Sequence, residues 1–213
     1  MTLDFDVVEH DGTYRVDGVV RSIGVVDLFS RFVLRTESRG LVEAAGLLPQ
    51  AYASDSSSRR RNRHASVKFA SDGTVAATVD PPDGPGHVRP TEQEMRGSFD
   101  PLSGILQLGH VVARRGSCAA RIPVFDGRRR YDMVFADGRE TPALAGSGKL
   151  HCAIEVIKLA GFSADAEPDT RVDHAEVWLA SPRPGAPFLP ERVEFAGSWG
   201  PITVSLVKPS PAR

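Results

Sequence analysis

The chain has 213 residues, 41% of them hydrophobic and 25% charged, with a formal net charge of −1. That length and composition suit one sizeable globular core, and we read residues 1–213 as a single β-rich domain. The near-neutral charge argues against a general nucleic-acid or acidic-membrane binder, which would need a strong positive field, and no run approaches the roughly 18–20 apolar residues that cross a bilayer.

The dominant local signal is Asp-Gly between short alternating apolar runs, the pair that tolerates positive φ and joins β-hairpins. It occurs at Asp11-Gly12, Asp72-Gly73, Asp126-Gly127 and Asp137-Gly138. Leu3, Phe5 and Val7 alternate before the first turn, and Tyr14, Val16, Gly18 and Val20 follow it. Val67 and Phe69 lead into the second, and Val75, Ala77 and Val79 lead out. Ile122 and Val124 precede the third, and Tyr131, Met133 and Phe135 follow on one face. Further strands are expected within Val25–Glu37 and at Ala153–Leu159, Val172–Ala180, Glu191–Ala196 and Ile202–Val207. Leu41–Leu48 fits a short helix or a strand equally well. Spacing of this kind points to a meandering antiparallel sheet and not to βαβ units.

One segment departs from the period of two. Asp100 suits an N-cap and Pro101 a first helical turn. Leu102, Ile105, Leu106, Gly109 and Val112 then recur at helical spacing, with Arg114 and Arg115 at the carbonyl end. A helix is predicted over Pro101–Arg114, and Pro81–Pro90, rich in proline and glycine, reads as the loop that feeds it.

Cys118 and Cys152 are the only cysteines. Their spacing fits a disulfide or two separate buried thiols. His110 and His151 lie near them, but without the paired spacing that sets two ligands on one side of a metal ion. Catalytic patterns are incomplete. Gly146-Ser147-Gly148-Lys149 lacks most of a phosphate loop, Ser205 and Lys208 fall on opposite strand faces, and His174, Glu176 and Trp178 share one face as solvated decoration. Two basic runs stand out. Arg59-Arg60-Arg61-Asn62-Arg63-His64 reads as a solvated hairpin loop, or as a contact for anionic headgroups. In Arg128-Arg129-Arg130, alternation sends Arg129 to the face of Tyr131, and Arg128 and Arg130 to that of Asp132.

Several stretches together resemble a bacterial family catalogued as domain of unknown function 3108. They are Asp100-Pro101-Leu102-Ser103, Cys118, Val124-Phe125-Asp126-Gly127-Arg128-Arg129-Arg130-Tyr131-Asp132, Cys152, Gly161-Phe162 and Pro187-Phe188-Leu189-Pro190-Glu191-Arg192. The resemblance implies an exported protein of Gram-negative bacteria, a Cys118–Cys152 disulfide and no established activity. It favours a periplasmic home over a cytoplasmic one, although Met1 leads into a strand pattern and not into a signal peptide. The family is in turn similar to curved-sheet envelope proteins of the lipoprotein-carrier type, a likeness of fold that carries no function.

The expected fold is mainly β, a strongly curved antiparallel sheet or open half-barrel packed around one amphipathic helix. The expected function is non-enzymatic. An apolar ligand, such as a lipid, or an envelope protein binds in a groove between sheet and helix, at Leu102, Ile105, Leu106, Arg128, Arg130 and Tyr131. No cofactor, metal or nucleic acid is expected. The alternatives are a hydrolase or lyase with an unrecognised site, or a purely structural interaction module.

Overall fold

The structure is a computed structural model that describes residues 2–23, 31–59, 61–84, 87–139, 148–162, 173–183, 186–197 and 200–206. Six strands lead the chain: β1 (Thr2–His10), β2 (Thr13–Arg21), β3 (Val33–Glu43), β4 (Gly46–Ser57), β5 (Asn62–Phe69) and β6 (Val75–Asp80). A short helix, α1 (Glu92–Met95), and a long one, α2 (Pro101–Arg115), come next. Six more strands finish it: β7 (Ala120–Phe125), β8 (Arg130–Asp137), β9 (Lys149–Ala160), β10 (His174–Ala180), β11 (Leu189–Gly197) and β12 (Gly200–Leu206).

All twelve strands form one sheet in the order β6-β5-β4-β3-β2-β1-β12-β11-β10-β9-β8-β7. Each half is an antiparallel meander. The halves meet where the first strand pairs with the last, and that pair is parallel, with Thr2 opposite Ser205 and Leu3 opposite Leu206. The sheet is therefore mixed, where the hairpin pattern predicts antiparallel pairing throughout. Hairpin signals report neighbours in sequence and say nothing of a pair between the two ends.

The sheet curves around α2, which packs on β2, β3, β4, β7 and β11. Laid flat at about 4.8 Å per strand, β4 and β7 would stand roughly 43 Å apart. A helix of α2's length is about 22 Å long and 10–12 Å across, so it touches both only because the sheet wraps it. The ladder does not close into a barrel, because β6 and β7 are its two ends. Side chains bridge this seam instead. Phe125 of β7 is buried with Tyr52, Val67 and Val75 of the opposite end. Gly127, at φ +96°, lies so close to β5 that a Cβ there would stand 3.1 Å from that of Ala65.

The helix forms where the sequence places it. Asp100 is its N-cap, accepting from the N–H groups of Leu102 and Ser103, and Gly116 ends it in the left-handed conformation. Its burial is wider than the predicted stripe: Leu106 and Leu108 are 0% exposed, Val112 1% and Val111 8%. Leu106 joins Tyr14, Val16 and Leu47, while Leu108 and Val112 join the core of β7–β10. Ile105 is half-buried against the second of these clusters, and Leu102 bridges the first to the seam. Gly109 lets the backbone at Phe188 dock on the helix, and Phe188 N–H donates to the Gly109 carbonyl at 3.3 Å.

The first three Asp-Gly turns are hairpins, with Asp11 and Gly12 both at positive φ. Asp137-Gly138 is not a tight turn. Gly138 N–H donates to His151 O, continuing the β8–β9 ladder, and Asp137 accepts from Cys118 N–H at 2.6 Å and Ser117 Oγ at 2.8 Å. Leu41–Leu48 resolves as the β3–β4 hairpin, and the strand expected within Val25–Glu37 runs Val33–Glu43. Gly146-Ser147 lies outside the described residues. Thr91 builds a capping box for α1, a helix of four residues outside the single helix predicted from sequence. Among the described residues no helix is long and apolar enough to cross a membrane.

Candidate functional site

The β7–β8 turn organises the region around the seam. Asp126 accepts from the backbone N–H groups of Arg128 (2.9 Å) and Arg129 (2.7 Å), so the carboxylate does the turn's hydrogen bonding and frees three consecutive guanidinium groups. Each goes a different way. Arg128 donates to Asp83 and, at 2.6 Å, to Pro81 O, clamping the loop that leaves β6. Arg130 donates to Asp132 Oδ1 and Tyr131 O, both at 2.6 Å, and to Glu94 O of α1 at 2.9 Å. Arg129 lies over the Phe162 ring, 5.7 Å from its centroid, and Tyr131 meets the same ring edge-on at 6.4 Å.

Two of the carboxylates here are well paired. Burial pushes Asp132 up, but the hydrogen bonds of Arg130 and Arg121 outweigh it and hold the carboxyl below its ordinary value. Asp83 follows the same balance, with Arg89 and Arg128 as its donors. The guanidinium of Arg63, reaching inward from β5, has no hydrogen bond or ion pair among the described residues. Burial first, then the repulsion of Arg61, Arg129 and Arg128, lower it from its ordinary value, with Asp126 opposing. On the opposite face of these strands, Arg35, Asp55, His64 and Asp80 stand side by side at a recess of about 360 Å³, where His64 and Asp55 pair at 2.8 Å.

The structure thus joins two basic runs, Arg61–Arg63 and Arg128–Arg129, that sequence reading treats separately. No local signal could have found this, since the two meet only when the sheet curves until its ends approach. The six residues proposed from sequence divide into two groups. Leu102, Ile105 and Leu106 lie in or beside the core under α2, and Arg128, Arg130 and Tyr131 lie around the β7–β8 turn.

Two further polar clusters stand elsewhere. At the start of α2, Asp100 is fully buried and accepts from Ser103 Oγ (2.6 Å) and Ser38 Oγ (2.7 Å) as well as the two backbone donors. Burial pushes its carboxyl up against those four hydrogen bonds, and burial with Asp100 nearby pushes the Tyr14 hydroxyl up. On the outer face, Trp178 is sandwiched cross-strand between His151 (stacked at 4.6 Å) and Arg192 (4.8 Å over the ring). His151 Nε2 stands 2.7 Å from Glu176 Oε2, and its Nδ1 donates to Arg139 O at 3.2 Å. The sequence places Glu176 and Trp178 on one face but cannot supply His151 or Arg192, which arrive from neighbouring strands.

The stretches that carry the family resemblance have evident structural tasks. Asp100 caps α2, and Asp126 shapes the turn. Gly161 abuts the backbone of Arg128 and Arg129, and Phe188 rests on Gly109. Cys118 and Cys152 form a disulfide, with Cα atoms 5.8 Å apart and both residues 0% exposed. The family described as Protein of unknown function (DUF3108) matches residues 1–207. The chain belongs to this family. No curated protein and no solved structure matches it. For this DUF3108 chain, the arginine-lined seam is the place where side-chain chemistry and an opening in the backbone ladder coincide.

Proposed function

We propose that this DUF3108 chain is an exported, periplasmic binding protein without catalytic activity, one domain that takes an apolar ligand, such as a lipid, at the β6/β7 seam beside α2. The observation that carries the reading is the seam itself. It is closed by Phe125, Tyr52, Val67 and Val75, with Leu102 beneath, and by no ladder of backbone hydrogen bonds. Parting apolar side chains exposes area in proportion to what a ligand then covers, whereas parting two paired strands would strand polar backbone groups. The disulfide supports an extracytoplasmic setting, because such bonds persist in oxidising compartments. An envelope protein inserting an apolar segment would use the same opening.

Native mass spectrometry of protein purified without detergent tests this, together with binding of an apolar fluorescent dye. A co-purified lipid, or dye binding altered by Phe125→Ala, is the expected result. Protein free of lipid that does not bind the dye would overturn it.

A further inference from the structure

We propose that Arg61, Arg63, Arg128 and Arg129, brought together where the β7–β8 turn meets β5, form a binding site for a phosphate-bearing ligand. The site deepens the reading above by assigning chemistry to the polar end of whatever enters the seam.

Three observations converge. The first is proximity: the turn holding Arg128 and Arg129 packs on β5 so tightly that Gly127 nearly touches Ala65, two residues along the same inner face from Arg63. The second is charge imbalance. Of the carboxylates facing the cluster, Asp83 is engaged by Arg89 and Arg128, and Asp126 accepts two backbone N–H groups of its own turn. Asp55 and Asp80 stand on the opposite face of the sheet, beside His64, which pairs with Asp55. Arg61 and Arg63 have no ion pair among the described residues, nor does Arg129, which lies over the face of Phe162. The third is the burial of Arg63. A half-buried guanidinium beside like charges is partly desolvated and repelled, and an anion arriving there would offset both effects.

The choice of arginine fits the ligand class. Guanidinium groups present paired N–H donors that match phosphate oxygens in bidentate fashion, and they keep their charge when partly desolvated. A phosphate could come from a lipid headgroup or from a soluble phosphate compound, and both would use the same donors.

The test uses the whole oxidised protein with two probes, inorganic pyrophosphate by calorimetry and vesicles of phosphatidylglycerol with phosphatidylcholine by co-sedimentation. Binding to either probe should weaken about ten- to a hundredfold in Arg63→Gln/Arg129→Gln, the scale of losing charge-assisted hydrogen bonds. It should also weaken with added salt, and Arg15→Gln on the outer face of β2 should leave it unchanged. Vesicle binding identifies a headgroup, and pyrophosphate binding without vesicle binding identifies a soluble ligand. If the glutamine variant unfolds, Arg63→Lys/Arg129→Lys keeps the charge and should bind pyrophosphate more weakly through loss of the bidentate fork. Wild-type protein that binds neither probe, or a folded glutamine variant that binds like wild type, would overturn the proposal. Dye binding at the seam should survive both variants, so failure of the phosphate site and failure of the apolar one can be told apart.

Discussion

Glycines in α2 differ sharply in what surrounds them. A Cβ on Gly109 would stand 2.1 Å from the carbonyl oxygen of Phe188, a backbone atom that cannot step aside. One on Gly104 would meet the terminal methyl of Met133 at 3.0 Å, the far end of a flexible chain. Alanine is better than glycine in a helix interior by about 1 kcal/mol. Gly104→Ala should therefore leave stability unchanged or slightly raised, whereas Gly109→Ala should lower it by about 1–3 kcal/mol through forced displacement. Urea denaturation midpoints of the two variants check this. Asp132 offers a second residue-scale test. Its folded pKa lies below the unfolded value, so its contribution is present above about pH 4 and is lost as pH falls through the folded value. Asp132→Asn should cost about 1–3 kcal/mol at neutral pH by leaving Arg130 without its carboxylate. It should also flatten the fall in stability below about pH 4. Denaturation curves recorded across that range would expose an equal slope in both proteins, the result that contradicts the assignment.

The long helix is an interior element more than a lid. Isolated helices of its length are marginal in water, so packing holds it. Because Leu106 is fully buried and Ile105 only half so, Leu106→Ala should cost about 2–5 kcal/mol and Ile105→Ala distinctly less, read from the same denaturation midpoints. The disulfide ties the segment after this helix to β9 across 34 residues, which is worth about 3–4 kcal/mol in the chain-entropy picture. Unfolded, unreduced protein should show no titratable thiol, and reduction should lower the thermal midpoint. The legibility of these elements follows from how local their causes are. Asp100, Pro101 and the apolar period specify α2 within one stretch of chain, and Asp11-Gly12 specifies a turn by backbone conformation alone. Asp137-Gly138 misleads because a distant partner, Cys118 N–H, takes the aspartate that a turn would use. Strand β4 is hidden because its inward face carries Ser54 and Ser56 beside Tyr52, and a bulge at Arg39/Gly40 resets its register. The meeting of Arg63 with Arg128 and Arg129 depends on curvature accumulated over the whole sheet, which no window of sequence contains.

At the scale of the whole molecule, hydrogen exchange should rank the strands by position in the sheet. Amides of β2 and β3, paired on both sides, should exchange most slowly, and those on the free side of β6 much faster. Uniform protection across β2, β3 and β6 would mean that the seam is closed in solution. The parallel joint between β1 and β12 has a different consequence, for the order of assembly. Each six-stranded meander pairs strands that are neighbours in sequence, but the joint between them brings together strands from opposite ends of the chain. Loop closure of that span is the slowest kind of contact to make. Until the last strand arrives, β1 presents a bare edge on which another chain could pair. Refolding is therefore expected to pass through a stage in which both halves are formed and unjoined. Aggregation should concentrate in that interval, so dilution during refolding should raise the yield of native protein more than any substitution in the core.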